Sequence, residues 1–214
     1  TRPRIQSEAF ASDIAKAGWV STIWPLMTIR PMLSRPLVVD QDCVLIFTSA
    51  RAVEALPKPV PIHLSAVCVG PATATAARRY GFRDVVDIAG DGDRLVEMLS
   101  ASPSTRYLHV RGAHTTGNIA ERLTLAGRPT DEVVAYEAVA ATSAPKAVHT
   151  GIVSGDIDAV ALFSPRTAAI FRSLARPDWT ERLNRIILYA ISPAVAEPVK
   201  GLRFSDVVVA DRPN

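Results

Sequence analysis

The chain has 214 residues, of which 48% are hydrophobic and 21% are charged, and its formal net charge is +3. This composition is typical of a globular protein with room for one large or two small domains. Because no apolar run reaches 18 residues, we expect no membrane-spanning helix. The N-terminal stretch TRPRIQSEAF lacks the apolar core of a signal peptide, so we expect a cytoplasmic protein.

Strand-length apolar runs alternate with helical patterns along the chain. In chain order, the predicted elements are helix Ser7–Ala17, strand Val44–Thr48, helix Ala50–Leu56, strand Ala66–Val69, helix Ala72–Tyr80, strand Asp84–Ile88, helix Asp93–Leu99, strand Tyr107–Val110, helix Asn118–Ala126, strand Ala159–Phe163, helix Pro165–Leu174, strand Ile186–Ile191, helix Pro193–Val199 and strand Asp206–Ala210. The strands are rich in Val, Ile and Leu without polar alternation, which is typical of strands covered on both faces. The alternation predicts an α/β fold of parallel sheets with helices on both faces.

The chain contains an internal repeat, which is the most informative feature of the sequence. LIFTSARAVEAL (45–56) aligns without a gap with VALFSPRTAAIF (160–171), which places Ser49 on Ser164 and Arg51 on Arg166. The segment 65–89 aligns in the same way with 187–211. A third and weaker match, which needs a one-residue shift, pairs Arg111 with Arg2.

The order of the repeats predicts two pseudo-repeated domains, each a three-layer α/β/α unit with a parallel sheet. Domain one is discontinuous, 1–28 plus 143–214, and domain two, 40–131, is inserted into it. The segments 29–39 and 132–142 cross between them, and both can extend into a two-stranded connector. The domain-one copy begins and ends without elements that are present in the domain-two copy. We therefore expect a few N-terminal residues and a C-terminal helix beyond the sequence given.

The charge and the cysteines favour a small acidic ligand in a reducing compartment. Only four of the 24 basic residues are lysines, and the rest are arginines. Arginine binds carboxylates and phosphates through a planar fork, although rich arginine usage also follows from genome composition. The basic residues are scattered, so we expect no nucleic-acid partner. Cys43 and Cys68 lie in apolar runs without CxxC spacing, and we expect buried, reduced thiols.

Small polar turns follow most of the predicted strands. Ligands of parallel α/β sheets bind beyond the carboxyl ends of the strands, where helix N-termini present free N–H groups to anions. The turns are Thr48-Ser49, Gly70 to Thr73 and Arg111-Gly112 in domain two, and Ser164-Pro165, Ser192-Pro193 and Arg2-Pro3 in domain one. Helix capping alone explains any one such turn. Six of them in two domains favour a ligand-binding role.

Other chemical motifs are absent from the sequence. GDGDRL (90–95) is not a GxGxxG motif, and neither a P-loop nor a GxSxG elbow occurs. The four histidines have no metal-ligand spacing, so we expect no metal site. Tyr136, in the connector VVAYEAV, is either a buried packing residue or the one general-acid candidate near a cleft.

An ordered set of segments resembles the uroporphyrinogen-III synthase family over essentially the whole chain. The segments are LIFTSARAVEAL, VCVGPATATAARRYGF, HVRGAHTTGNIAERL, VVAYEAV and ALFSPRTAAIF. The resemblance implies two α/β domains joined by a two-stranded ladder, the first domain being discontinuous. It also implies a cofactor-independent cyclising hydro-lyase of haem, sirohaem and cobalamin biosynthesis. In that reaction hydroxymethylbilane, a linear tetrapyrrole with acetate and propionate on every ring, loses its terminal hydroxyl and closes with the last ring inverted.

The resemblance also suggests roles for individual residues. Tyr136 matches the family's connector tyrosine, which is thought to assist departure of the hydroxyl. Ser49, Thr73 and Ser164 match positions implicated in ligand contact. With the turns above, the predicted substrate-binding residues are Thr48, Ser49, Arg51, Gly70, Thr73, Arg111, Gly112, Ser164, Arg166 and Ser192.

One departure from the family keeps a second hypothesis open. Many members carry a threonine just after the turn that corresponds to Ser192-Pro193 of domain one. In this sequence that position is occupied by Ala194 or Val195, in the segment ISPAVA. The alternative function is therefore a non-catalytic two-domain clamp for an acidic tetrapyrrole or another polycarboxylate. In either case we expect a monomer that takes a small-molecule ligand.

Overall fold

The computed structural model describes residues 4–59, 62–102, 106–115 and 117–211. The helices are α1 Arg4–Lys16, α2 Ala50–Glu54, α3 Pro71–Tyr80, α4 Gly92–Ser100, α5 Ile119–Leu125, α6 Lys146–Ser154, α7 Pro165–Leu174, α8 Thr180–Leu183 and α9 Pro193–Ala196. The strands are β1 Met27–Pro31, β2 Cys43–Phe47, β3 Ala66–Val69, β4 Val85–Ile88, β5 Arg106–Gly112, β6 Thr130–Ala140, β7 Ala159–Leu162, β8 Ile187–Ala190 and β9 Asp206–Val209. The predicted α/β class with parallel sheets is confirmed, and every predicted strand is present within two residues of its predicted ends.

The chain divides into two compact units, one formed by 1–28 with 139–214 and the other by 29–138. Both dividing points fall inside strands, β1 and β6. The predicted connector segments contain parts of these two strands. Their role as the joint between two domains stays a prediction.

The unit 29–138 is called the larger unit below. It contains a six-stranded sheet in the order β1-β6-β5-β2-β3-β4, whose strands β1 and β6 extend past the dividing points. Its last five strands are parallel neighbours. One face carries a core with α2 and α3, including Phe47, Ala52 and Ala77. The other face carries a core with α4 and α5, including Ile46, Leu95 and Leu123. Coverage of both faces explains why β2, β3 and β5 lack polar alternation, whereas Val86 in the edge strand β4 is 43% exposed.

β1 and β6 run antiparallel at one end of this sheet. The amide of Met32 donates to the carbonyl of Ala135 at 2.9 Å, and the amide of Ala141 donates to the carbonyl of Leu26 at 2.9 Å. Arg30 and Glu137, which lie opposite one another in this register, form an ion pair. The predicted crossing segments are therefore extended and paired over 29–31 and 132–140, whereas 32–39 has no regular secondary structure.

The other unit, 1–28 with 139–214, is called the smaller unit. It has a three-stranded parallel sheet in the order β7-β8-β9. Its core is formed around Trp24, Phe171 and Trp179, with ring centroids about 6 Å apart. The prediction of strands covered on both faces is wrong for β9, because Val207 and Val208 are 47% and 39% exposed. β9 is the edge strand of the described sheet, which explains part of this exposure.

Two helical segments were missed, and one predicted helix needs correction. Helix α6 was not predicted. The segment 177–183, a 3₁₀ turn followed by α8, was not predicted either. The predicted helix Pro193–Val199 is split into α9 and a 3₁₀ turn, Glu197–Val199. Pro198 lies inside the second piece, where it lacks the amide that a continuous α-helix would use.

Candidate functional site

The carboxyl ends of the parallel strands place the predicted turns in a common row. In the larger unit Phe47 is paired with Cys68 on one side and with Val110 on the other. Two residues beyond that row lie Ser49, Gly70 and Gly112. Because parallel strands in register end at the same edge, these three turns lie side by side.

The smaller unit repeats this arrangement. Leu162 is paired with Ala190 in adjacent parallel strands. Ser164 and Ser192 lie two residues beyond that pair. Each unit therefore presents small polar residues at the carboxyl edge of its sheet, as the repeat predicted. Arg2-Pro3 lies outside the described residues.

Ser49 and Ser164 both cap helices through their hydroxyls. Ser49 Oγ accepts from the amide of Arg51 at 3.2 Å at the start of α2. Ser164 Oγ accepts from the amide of Thr167 at 3.1 Å at the start of α7. Ser192 precedes α9 without a side-chain capping bond. Capping is thus a demonstrated role for two of the three predicted serines.

Gly70 precedes α3 with φ of +80° and ψ of 155°, a backbone conformation that disfavours side chains. A Cβ atom at Gly70 would meet nothing within 4 Å, so the backbone and not the space requires glycine here. Its equivalent in the smaller unit, Ser192, has an extended φ of −159°. The two turns therefore differ in backbone shape despite the gapless repeat.

The predicted side chains differ in accessibility. Thr48, Ser49 and Arg51 are half-buried, whereas Thr73 is 5% exposed and packs inward. Arg166 is exposed and takes part in an interaction within the protein.

Tyr136 meets two of the predicted residues. Its phenol donates to Ser49 Oγ across 3.3 Å, a long hydrogen bond for two hydroxyls. A Cβ atom built on Gly112 would lie 2.8 Å from Tyr136 Cζ, so the tyrosine ring covers Gly112 directly. Tyr136 is half-buried and packs beside the core that includes Phe47. The structure thus brings together Ser49, Gly112 and Tyr136.

Arg111 takes part in a neighbouring polar network that sequence reasoning missed in part. Its Nε lies 3.0 Å from Glu132 Oε2, an ion pair in which the N–H is not aligned with the oxygen. Its Nη1 donates to the carbonyl of Gly112 at 3.0 Å. Glu132 Oε1 also lies 3.3 Å from Nδ1 of the buried His109. Neither Glu132 nor His109 was singled out, since their pairing depends on the register of β5 and β6.

An open groove of about 740 Å³ lies beside this network in the larger unit. It shares only Arg111 with the predicted residues. Its lining also includes His114, Asn118, Thr130 and Glu132. Within the part of the chain that the structure describes, no cluster of His, Cys, Asp or Glu could hold a metal ion.

Both cysteines are free and buried, which confirms the expected burial of the two thiols. Burial raises the pKa of the Cys68 thiol to about 12, with a further contribution from the charge of Asp87. Among the described helices, none combines the length and hydropathy that a membrane crossing requires.

These features define an α/β protein of parallel sheets, a class whose members bind ligands beyond the carboxyl ends of the strands. The family model for uroporphyrinogen-III synthase HemD matches residues 8–214. The chain therefore belongs to the uroporphyrinogen-III synthase family, as its sequence motifs predicted. It is accordingly a cyclising lyase of tetrapyrrole biosynthesis that acts on a small-molecule substrate.

Solved structures share the fold. A uroporphyrinogen-III synthetase from Helicobacter pylori is similar with a TM-score of 0.59 and 17% identity, covering 88% of this chain and 85% of that one. A mutant uroporphyrinogen III synthase from the extremely thermophilic bacterium Thermus thermophilus is similar with a TM-score of 0.50 and 17% identity, covering 98% of this chain and 91% of that one. At this identity the likeness supports the fold and does not assign individual residues.

Proposed function

We propose that the strand-end turns bind the carboxylates of hydroxymethylbilane and that the Tyr136 phenol assists loss of its terminal hydroxyl. The observation that carries this proposal is the convergence of Tyr136, Ser49 and Gly112 at the carboxyl edge of the larger unit's sheet. A phenol held at that edge stands where α/β proteins bind their ligands. It can donate to an oxygen that departs from carbon.

Binding of the acetate and propionate groups rests on both backbone and side chains. α3 and α7 each span ten residues and begin at the carboxyl edge of a sheet, so the positive ends of their dipoles favour anions there. Arg51, Arg111 and Arg166 add positive charge near these turns. Arg111 is already paired with Glu132, which reduces its contribution to a new anion.

Orientation supplies the selectivity of the reaction. Without the enzyme the bilane closes to the uninverted isomer, so the protein must hold the linear molecule in the conformation that leads to inversion. Fixing several carboxylates at once reduces the entropy that this closure would otherwise lose. Tyr136 then stabilises the departing oxygen by donating its proton or a hydrogen bond.

The test is to supply the purified protein with freshly made hydroxymethylbilane and to resolve the oxidised porphyrin isomers. We expect the type III isomer, with only type I in the protein-free blank. A protein sample that yields only type I would refute the proposal and favour the non-catalytic clamp. Dialysis against a chelator before the assay should leave type III formation unchanged.

We also propose that the protein acts as a monomer in the cytoplasm. The free thiols of Cys43 and Cys68 support a reducing compartment. Light scattering during size-exclusion chromatography tests the monomer, and a mass of twice 23.0 kDa would refute it.

A further inference from the structure

The strand that carries Tyr136 contains a β-bulge. In β5 and β6 the pairing runs regularly to Arg111 and Val134, and the next pair is Gly112 with Tyr136. Ala135 is therefore one extra residue on β6. The amide of Ala113 donates to the carbonyl of Tyr136 at 2.8 Å and fixes the register beyond the bulge.

The bulge changes the face to which Tyr136 points. In a regular strand, neighbouring side chains point to opposite faces of the sheet. Here Val133, Ala135 and Tyr136 all pack against the core that includes Leu108 and Val110. The bulge thus turns the Tyr136 side chain onto the face that α2 covers, where Ser49 begins that helix. A bulge that re-aims a side chain is a recurrent device beside active sites.

Gly112 provides the space for the re-aimed ring. A methyl group there would lie 2.8 Å from Cζ, 3.0 Å from Oη and 3.1 Å from Cε2 of Tyr136. Backbone strain is not the reason for glycine, because Gly112 has no positive φ. Glycine is required at 112 because any side chain there would occupy the space of the phenol end of the Tyr136 ring.

We propose that the bulge at Ala135 and the bare Cα of Gly112 form one positioning device for the Tyr136 phenol. Gly112 is then a positioning residue that acts through Tyr136 and does not itself contact the bilane, since the tyrosine ring covers it. This inference rests on the proposed role of Tyr136 in turnover. The geometric part, the contact between Gly112 and Tyr136, is independent of that role.

The first arm of the test measures the contact through thermal unfolding of four proteins: wild type, Gly112→Ala, Tyr136→Ala and the double variant. We expect Gly112→Ala to lower the Tm by about 2–12 °C, as overpacking does in a protein of this size. In the Tyr136→Ala background the same methyl group does not clash with an aromatic ring. Gly112→Ala should therefore lower the Tm of that variant by less than about 2 °C. Equal losses in both backgrounds would overturn the inference.

The second arm measures type III formation. Gly112→Ala should lower kcat about a hundredfold, as much as Tyr136→Phe, while KM stays within about twofold. A residue that contacts the bilane directly would instead raise KM. Gly92→Ala is the matched control, because its methyl group would lie 3.4 Å from Ile119 in ordinary contact and its φ is not positive. We expect wild-type turnover and Tm from this control.

The two arms separate the inference from the proposed function. A wild-type protein that forms no type III isomer refutes the function, and the Tm cycle still decides whether Gly112 seats the ring. Normal kcat in Gly112→Ala, with active wild type, overturns the positioning role even if the Tm values are coupled. A loss of kcat in Gly112→Ala, together with a Tm loss that depends on the presence of Tyr136, supports the positioning role.

Discussion

Thr73 and Val195 occupy the same position in the two repeats, the third residue of a helix that begins with proline, and both are buried. Val195 is 1% exposed and packs into the core that includes Leu162 and Phe171. At this position the smaller unit therefore has aliphatic packing where the larger unit has a threonine hydroxyl. A threonine at 195 would bury its hydroxyl among apolar side chains.

Val195→Thr should accordingly destabilise the protein without improving catalysis. Burying a hydroxyl costs about 1–3 kcal/mol, which corresponds to a Tm loss of about 2–12 °C for a protein of this size. Ala194→Thr is the matched control, because Ala194 is exposed and should tolerate the change. A Val195→Thr variant with unchanged Tm and higher type III turnover would show that the missing hydroxyl matters.

Tyr136→Phe should lower kcat for type III formation about a hundredfold, with KM nearly unchanged, because only the departing oxygen loses its donor. Ser49→Ala should have a smaller effect on kcat, about tenfold, since the phenol remains but loses its partner. Tyr189→Phe is the control, because Tyr189 is a 41% exposed tyrosine of the smaller unit. Steady-state isomer assays check all three, and full activity in Tyr136→Phe would exclude the role of its hydroxyl.

Ser164→Ala and Ser192→Ala should separate capping from ligand binding. Ser164 accepts the amide of Thr167, so its loss should cost about 1 kcal/mol of unfolding free energy. Ser192 makes no capping bond through its side chain, so Ser192→Ala should leave stability within about 0.5 kcal/mol. Denaturant titration measures both. Equal losses would show that Ser192 has a structural contact that its backbone setting does not suggest.

Ser164→Ala also tests where the bilane is bound. If the amides at the start of α7 hold a carboxylate, removing the hydroxyl should raise KM by less than about threefold. Ser164→Thr should restore the lost stability, because threonine also caps helices. A KM increase of more than about tenfold in Ser164→Ala, reversed by Ser164→Thr, would instead point to direct contact by the serine hydroxyl.

His109 makes stability depend on pH. Its side chain is 2% exposed, with Glu132 at 3.3 Å and Arg111 paired to the same carboxylate. Burial lowers the pKa of His109, against the raising effect of its hydrogen bond to Glu132. The unfolded chain, with a histidine pKa of about 6.5, therefore binds this proton more readily than the folded protein.

The stability contributed by neutral His109 should thus be fully present above about pH 6.5 and lost as pH falls through the lower folded-state pKa. His109→Gln removes this titration, so its Tm should fall less between about pH 7 and about pH 5 than that of the wild type. His114→Gln, at an exposed position, should follow the wild-type pH profile. Parallel Tm profiles for wild type and His109→Gln would contradict the assignment.

Local patterns predicted most elements because their signals lie in neighbouring residues. Apolar runs bounded by Ser, Gly and Pro define β2, β3, β7 and β8, and the turn prolines begin α3 and α7. α6 was missed because KAVHTGIVS is rich in β-branched residues, which favour strands, and follows Pro145 without a side-chain cap. The short α8 contains a single turn, and its neighbour Trp179 becomes core only when three aromatic rings pack together.

The candidate site was predictable as a set of turns but not as a set of contacts. The repeat located Ser49, Gly70 and Gly112, and strand register then aligned them. The meeting of Tyr136 with Gly112 depends on the bulge, and a bulge is decided by the pairing of two strands distant in sequence. The partner of Arg111, Glu132, was hidden for the same reason.

The extra residue at Ala135 makes the pairing register of β6 a determinant of chemistry. With the same chain length but regular pairing, Tyr136 would lie opposite Ala113 and its ring would be on the opposite face of the sheet. Deletion of Ala135 would instead close the bulge and keep the tyrosine opposite Gly112. In comparisons of distant relatives, a one-residue gap at this point therefore leaves the tyrosine on the same face. Library design on this scaffold should keep the pairing of Tyr136 with Gly112 fixed while the other side chains of β6 vary.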